Sequence, residues 1–527
     1  MKYPVGIQTF QNIINGGYVY VDKTDLIYSL VHEGNVYFLS RPRRFGKSLL
    51  ISTLECYFLG KKELFKGLSI EKLETEWKQY PVLLISFGTG RFSEYGTLED
   101  VVIGTLRKWE EKYGVEKVCD DYGSRFKNIL STAHEKTGLP CVVLIDEYDK
   151  PLLDVMDSGE YVLPNGEKIS MEDHNREILK TFYASLKDAD ADLRFVFLTG
   201  VTKFAQISVF SGLNQPKDIS MTAQYDELCG ITGAEIDKYF SEPVAAMAEE
   251  FGCSVEEIRR RLRRRYDGYH FSKKMRGVYN PFSLLNAFFD KDIRDYWFKT
   301  ATPTYLVKLL NRHSECLDDL AGKYYSEDLF YDYKANAEQP LPIIYQSGYF
   351  TIKDYDSDDS TYLLDFPNDE VKRGFVAAVA GNYFKNAIGT DTTVTTLNKC
   401  LRRADLDKFR TELTAFLSSI PYTMRNAKAT EKHFHYTFYL IFRLISTYLV
   451  FTEKSQSQGR VDCVIETDKF IYIFEFKLDG TAEEALQQIN EKGYAREYAS
   501  DSRKLYKIGC SFSTKTGTIE KWLVREE

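Results

Sequence analysis

The chain has 527 residues, with 69 Lys+Arg against 77 Asp+Glu for a net charge of −8, and is 43% hydrophobic and 14% aromatic. That length predicts about three domains with sizeable cores, and the composition excludes collagen-like, low-complexity and fully disordered chains. The acidic balance excludes nucleic-acid attraction by the bulk field, so any such partner is held by local basic patches.

Apolar runs at 36–39, 82–87, 141–145 and 193–198 alternate with helical segments, the pattern of a parallel α/β sheet covered on both faces. Between the last two, 161–169 carries Asn165-Gly166, a hairpin turn, and reads as a surface insertion. Beyond about residue 232 the pattern turns helical, with helices predicted over 234–251 and 254–265. A hairpin from 348–352 to 361–364 then fits a small winged-helix-like module, and a helix over 397–419 stops before Pro421. The remainder predicts a helix over 430–449, strands over 460–465 and 470–477, a helix over 481–498 and a strand over 504–512. The expected domains are 1–232, 233–420 and 421–527.

The nine cysteines include no CxxC, which argues against a zinc ribbon or a small disulfide scaffold and fits reduced thiols in the cytoplasm. The N-terminus has no signal-type apolar core. The most apolar late stretch, 434–451, is broken by Arg443 and reads as a buried helix, so a cytoplasmic protein without a membrane partner is expected.

After the first strand comes Ser40-Arg41-Pro42-Arg43-Arg44-Phe45-Gly46-Lys47-Ser48. Gly46-Lys47-Ser48 fits the end of the P-loop pattern GxxxxGK[ST], but Arg41 stands where its first glycine belongs. Backbone N–H groups at a helix start still favour phosphate. Lys47 reaches the β/γ-phosphates of ATP, Ser48 offers a Mg²⁺ ligand, and the three arginines add positive charge. The strand Val142-Val143-Leu144-Ile145 ends in Asp146-Glu147, a Walker B arrangement. There Asp146 holds Mg²⁺ and Glu147 polarises the attacking water, while Asp149 reads as a helix N-cap. The next strand ends Leu198-Thr199-Gly200-Val201-Thr202, where Thr199 or Thr202 could face the γ-phosphate, Thr202 being equally a helix cap.

These motifs resemble a family of bacterial proteins that join an AAA-ATPase-like domain to a PD-(D/E)xK nuclease-like domain. The resemblance is carried by Tyr20-Val21-Asp22-Lys23-Thr24, Arg41 to Ser48, Asp146-Glu147-Tyr148-Asp149 and Phe197 to Phe204, then by Tyr266 to Phe271, Tyr279 to Ser283 and a C-terminal motif. It implies an ATPase module with a helical, winged-helix-like middle, and Arg41 looks typical of the family. The implied nucleotide-binding residues are Arg43, Arg44, Phe45, Gly46, Lys47, Ser48, Asp146 and Thr199.

The C-terminal motif is Gly459-Arg460-Val461-Asp462 on one strand and Phe474-Glu475-Phe476-Lys477 on the next. Strand alternation puts Glu475 and Lys477 on one face and Phe474 and Phe476 on the other. Asp462 and Glu475 could bind Mg²⁺ or Mn²⁺ while Lys477 orients water, the constellation of metal-dependent phosphodiester hydrolysis. Glu431 could add a metal carboxylate or only complement a helix dipole, and Gln487 or Gln488 could meet a phosphate. A Glu-x-Lys strand end is also a common surface ion pair.

The run Arg259 to Arg265 reads as a solvated helix face rather than a phosphate site, and Tyr269 and Phe271 as core rather than base-stacking platforms. The seven histidines form no HExxH. The leading reading is an α/β protein: a P-loop NTPase sheet, a winged-helix-like middle and a PD-(D/E)xK-like end. It binds and hydrolyses ATP and cleaves nucleic acid, DNA before RNA, with assembly of several copies allowed. The competing reading is a nucleotide-controlled switch or scaffold whose nuclease-like domain binds without cutting.

Overall fold

A computed structural model describes residues 1–115, 121–156, 160–163, 165–203, 216–298, 306, 310, 317–330, 340–383, 390–419, 440–441, 444, 450–452, 455–456, 459–460, 463–513, 515–516 and 518–527. The chain divides into two compact units, 1–309 with 320–371, and 310–319 with 372–527.

The first unit is built on strands β1 (Val36–Ser40), β2 (Val82–Ser86), β3 (Cys141–Asp146), β4 (Glu160–Val162), β5 (Lys168–Ser170), β6 (Leu193–Gly200) and β7 (Lys217–Asp218). Five of them form one sheet in the order β2-β3-β6-β1-β7, every pairing parallel. Each of the four apolar runs is a strand, and β3 is buried along its whole length, as a strand covered on both faces must be. Helices Thr97–Tyr113, Tyr122–Thr137 and Met171–Asp188 pack Leu106, Phe126 and Phe182 into the core beside Val143 and Val196. The insertion is the antiparallel hairpin β4–β5 around Asn165-Gly166. The fifth strand, β7, is only two residues long and carried no apolar run to announce it.

Two short strands, β8 (Ile231–Thr232) and β9 (Val278–Tyr279), pair antiparallel beneath the helical region. The single helix expected over 234–251 is two, Gly233–Tyr239 and Ser241–Glu250. Pro243 causes the break: it has no N–H for the Tyr239 carbonyl, and its ring crowds that carbonyl. The expected helix over 254–265 is Val255–Tyr266. Its Ile258, Leu262 and Tyr266 share a core with Phe240 and Leu284. Strands β10 (Lys323–Ser326), β11 (Thr351–Asp356) and β12 (Thr361–Asp365) form an antiparallel sheet in the order β10-β12-β11. The expected hairpin is β11–β12.

In the second unit, the helix expected over 397–419 is also two, Thr390–Arg403 and Leu406–Ser419. Ala404 takes a left-handed φ of 55°, and Asp405 accepts the Lys408 N–H to start the second helix. Strands β13 (Val450–Thr452), β14 (Ser455–Gln456), β15 (Gly459–Arg460), β16 (Cys463–Glu466), β17 (Phe470–Leu478), β18 (Lys504–Ser513) and β19 (Thr518–Glu526) follow. The main sheet runs β13-β16-β17-β18-β19, with only β17–β18 parallel. The strand expected over 460–465 is divided: Gly459–Arg460 folds back on Ser455–Gln456, and the main sheet resumes at apolar Cys463. The helix expected over 481–498 ends at Glu491, with a separate 3₁₀ turn at Arg496–Tyr498, because the chain turns at Gly493. The helix expected over 430–449 lies almost wholly outside the described residues. Among those described, no helix is long and apolar enough to cross a membrane, and no disulfide joins the cysteines.

Candidate active sites

The sheet order of the first unit brings its motifs together. Strand β6 lies between β1, which leads into the 41–46 loop, and β3, which ends in Asp146. Parallel strands share one C-terminal edge, where ligand sites of open α/β sheets lie. At that edge Thr199 donates its hydroxyl to Asp146 Oδ1 at 2.7 Å.

The helix Lys47–Phe58 starts directly from Gly46, which has a φ of 92°. Lys47 is only 7% exposed, and its ammonium caps the carbonyls of Arg41 (2.8 Å) and Pro42 (3.0 Å). Burial lowers its pKa, opposed by the charges of Asp146, Asp149 and Glu147. Burial raises the pKa of Glu147, and the Asp146 charge raises it further. Glu147 and Arg44 both hold left-handed backbone, at φ 55° and 70°. Non-glycine residues in that region carry strain of about 1–3 kcal/mol and collect at functional sites.

A cavity of about 400 Å³ opens on this edge, bordered by Arg43, Arg44, Gly46, Lys47, Ser48, Glu147 and Asp149. Its far wall is the N-terminal segment Pro4 to Gln8 and the start of the helix Pro281–Asp290, with Phe282, Leu285 and Asn286.

Two expectations change. Asp149 stands at the start of the short helix Lys150–Leu153 without capping it. Its carboxylate instead accepts the Val201 and Thr202 N–H groups and the Thr202 hydroxyl. Because β3 and β6 are neighbours, that loop end satisfies the acid before its own helix can. Thr202 is thereby committed to Asp149, while Thr199 stands beside Asp146.

Arg41 does not add charge to the cavity. It is 1% exposed, donates to the carbonyls of Ser40, Ser220 and Tyr225, and lies 4.0 Å above the Phe271 ring. The rest of the loop is gripped from outside as well. Trp297 Nε1 donates to the Arg43 carbonyl at 2.9 Å. Arg44 lies over the Phe282 ring. The Phe45 ring is buried against Tyr269 and Phe271, so only its backbone is available to the loop. Gly348 approaches so closely that a Cβ there would lie 2.6 Å from the Pro42 ring.

Tyr269 and Phe271 are core, as expected. Within Arg259 to Arg265, the arginines pair with carboxylates, among them Arg259 with Asp237, Arg261 with Glu257, Arg264 with Asp369 and Arg265 with Asp295.

In the second unit, Glu475 and Lys477 share one face of β17, with Lys477 Nζ 3.5 Å from Glu475 Oε1. Phe474 and Phe476 stack on the other face. Glu475 is 2% exposed. Lys477 also donates to Gln488 Oε1, from the helix Ala482–Glu491. Of the two glutamines left open, Gln488 joins the cluster and Gln487 bonds Glu491 along its own helix. Gly509 makes this possible. It sits beside Glu475 in the sheet, and a Cβ there would lie 2.3 Å from the Ala482 carbonyl. The side chains of Asp462 and Glu431 lie outside the described residues.

Residues 4–210 match a family described as predicted AAA-ATPase, and residues 429–522 match the PD-(D/E)XK nuclease superfamily. A protein of Azotobacter chroococcum mcd 1, named "Uncharacterized protein in vnfD 5'region", is 34% identical over 531 residues, covering 99% of this chain and 98% of its own. The chain belongs to the family that joins these two domains. No solved structure matches it.

In this chain the loop's departure from a glycine-rich pattern has a packing reason. Arg41 is held by the carbonyls of Ser220 and Tyr225 and the Phe271 ring, and Phe45 by the rings of Tyr269 and Phe271. Sequence reasoning missed Trp297 and Gly348, because residues about 250 or more positions from the loop leave no local spacing signal. Gly509 was missed for the same reason, as its role lies in contact with a helix.

Proposed function

We propose that the protein hydrolyses ATP in its first unit and cleaves nucleic-acid phosphodiesters in its second. The ATPase reading is carried by one observation: Lys47, Asp146, Glu147 and Thr199 converge at the same sheet edge beside the cavity. Backbone N–H groups at the start of Lys47–Phe58, with Arg43, Arg44 and Lys47, bind the triphosphate. The nucleobase lies against the wall of Pro4 to Gln8 and Phe282 to Asn286. Glu147, its pKa raised by burial, orients and polarises the attacking water. Thr199 fixes the Asp146 carboxylate. The hydroxyl of Ser48 and the carboxylate of Asp146 are hard oxygen donors and fit Mg²⁺, which neutralises phosphate charge when bound.

The nuclease reading rests on the Glu475–Lys477–Gln488 cluster. Its donor chemistry suits Mg²⁺ or Mn²⁺, with Glu475, Asp462 and Glu431 as the proposed ligands. Among the described residues, no group of three or more His, Cys, Asp or Glu gathers to hold a metal by itself. Asp462 and Glu431 are the further carboxylates that this reading calls on. Lys477 orients the nucleophilic water, and Gln488 holds its ammonium beside Glu475.

The proposed functional division is 1–232 for ATP turnover, 233–420 for a lid and coupling region, and 421–527 for cleavage. DNA is the favoured substrate. The test is cleavage of plasmid and of single-stranded DNA and RNA with Mg²⁺ or Mn²⁺, with and without ATP, comparing wild type with Lys477→Ala. Cleavage that disappears in Lys477→Ala is expected. No cleavage by folded wild-type protein, with nucleotide still bound, sinks the nuclease reading and leaves a nucleotide-controlled scaffold.

A further inference from the structure

The strained peptide at the centre of the phosphate loop is held by a chain of hydrogen bonds from distant sequence. Glu370 is 1% exposed, and its Oε1 accepts the backbone N–H groups of Tyr296 and Trp297, the latter at 2.7 Å. Its Oε2 accepts the Ser283 hydroxyl at 2.7 Å. Ser283 follows Phe282, which borders the cavity. The indole of Trp297, itself 1% exposed, then donates to the Arg43 carbonyl at 2.9 Å.

That carbonyl belongs to the same peptide as the Arg44 N–H. In a planar trans peptide the two point in opposite directions. Holding the carbonyl on the indole therefore aims the Arg44 N–H away from Trp297. Arg44 sits at φ 70° and Gly46 at φ 92°. Left-handed residues beside right-handed ones turn backbone N–H groups into an anion-binding concavity. An arginine does not keep that conformation unaided.

We propose that Trp297 and Glu370 are positioning residues for phosphate binding: Glu370 fixes the 296–297 backbone, and the Trp297 indole holds the 43–44 peptide in its phosphate-binding orientation. This rests on the ATP reading above. It makes the loop's geometry depend on the helical region, so displacement of the 296–297 segment weakens nucleotide binding without touching the nucleotide.

The test measures equilibrium binding of Mg·ATP and of inorganic tripolyphosphate to the full chain. Trp297→Phe keeps an aromatic ring beside Tyr349 but removes the N–H donor together with part of the buried ring volume. Its affinity for both ligands falls about tenfold, the scale of one lost hydrogen bond, measured at a temperature where circular dichroism shows the variant folded. Glu370→Gln, which keeps an acceptor oxygen, shows a smaller fall of the same kind. The decisive readout is a double-mutant cycle with Arg44→Gly. Glycine holds the left-handed conformation without help, so Trp297→Phe costs little affinity in that background. Wild type that binds ATP alongside a Trp297→Phe variant that binds it equally overturns the proposal. So does an undiminished loss in the Arg44→Gly background. Wild type that binds neither ligand overturns the ATP reading itself.

Discussion

The two units each place a lysine beside buried carboxylate, at the end of a parallel strand or at the start of the helix that follows one, but they hold it differently. Lys47 is enclosed by its own loop, its ammonium on the carbonyls of Arg41 and Pro42 and its charge facing Asp146, Glu147 and Asp149. Lys477 stands on β17, partly exposed, between Glu475 of the same strand and Gln488 of a packed helix. Backbone geometry fixes the first and side chains from two elements fix the second. A loop-held lysine is sensitive to whatever shapes the loop, and a side-chain-held lysine to whatever seats the helix.

The largest effect that sharpens this contrast is Lys47→Ala, which lowers ATP turnover at least about a hundredfold, the scale for removing a preorganised charge from a phosphoryl-transfer site. Phosphate release measures it. If cleavage without ATP is unchanged in the same variant, the two lysines act separately.

Next is Arg41→Gly, which restores the general P-loop glycine. It destabilises the protein by about 3 kcal/mol, since the carbonyls of Ser220 and Tyr225 lose a buried charged donor. Thermal unfolding checks this. Tighter ATP binding with no loss of stability would break the idea that the loop is shaped by its outside contacts.

Glu370 gives a pH test. Burial raises its pKa from 4.5 to about 7. The folded state therefore binds a proton that the unfolded state has released between those values. Its stabilising contribution is fully present below about pH 4.5 and is lost as the pH rises through about 7, a change of about 3 kcal/mol. Glu370→Gln flattens this part of the stability–pH profile, as denaturant unfolding from pH 5 to 8 would register.

The smallest effect separates neighbouring glutamines. Gln488→Ala reduces phosphodiester cleavage about tenfold through loss of one charge-assisted hydrogen bond, whereas Gln487→Ala leaves it unchanged. Equal losses in both variants would mean that the helix, rather than Gln488, positions Lys477.

Much of the fold was legible because it is written in local periodicity. The four buried strands of the first sheet are continuous apolar runs, and the β4–β5 hairpin follows from Asn165-Gly166. Helix breaks were less legible: Pro243 and the Ala404-Asp405 step interrupt patterns whose apolar spacing continues across them. The candidate ATP site was readable as motifs, yet Asp149 was mistaken for a cap because its partners at Val201 and Thr202 arrive from the next strand of the sheet.

The sequence by itself determined the class of each domain and which residue types carry its chemistry, since motif spacing and strand alternation are short-range properties. Only the tertiary structure decided that Thr199 rather than Thr202 accompanies Asp146, that Gln488 rather than Gln487 meets Lys477, and that Arg41 is an anchor. Each of those choices depends on which surfaces pack together across long separations in the chain, and close packing, unlike periodicity, leaves no mark in neighbouring residues.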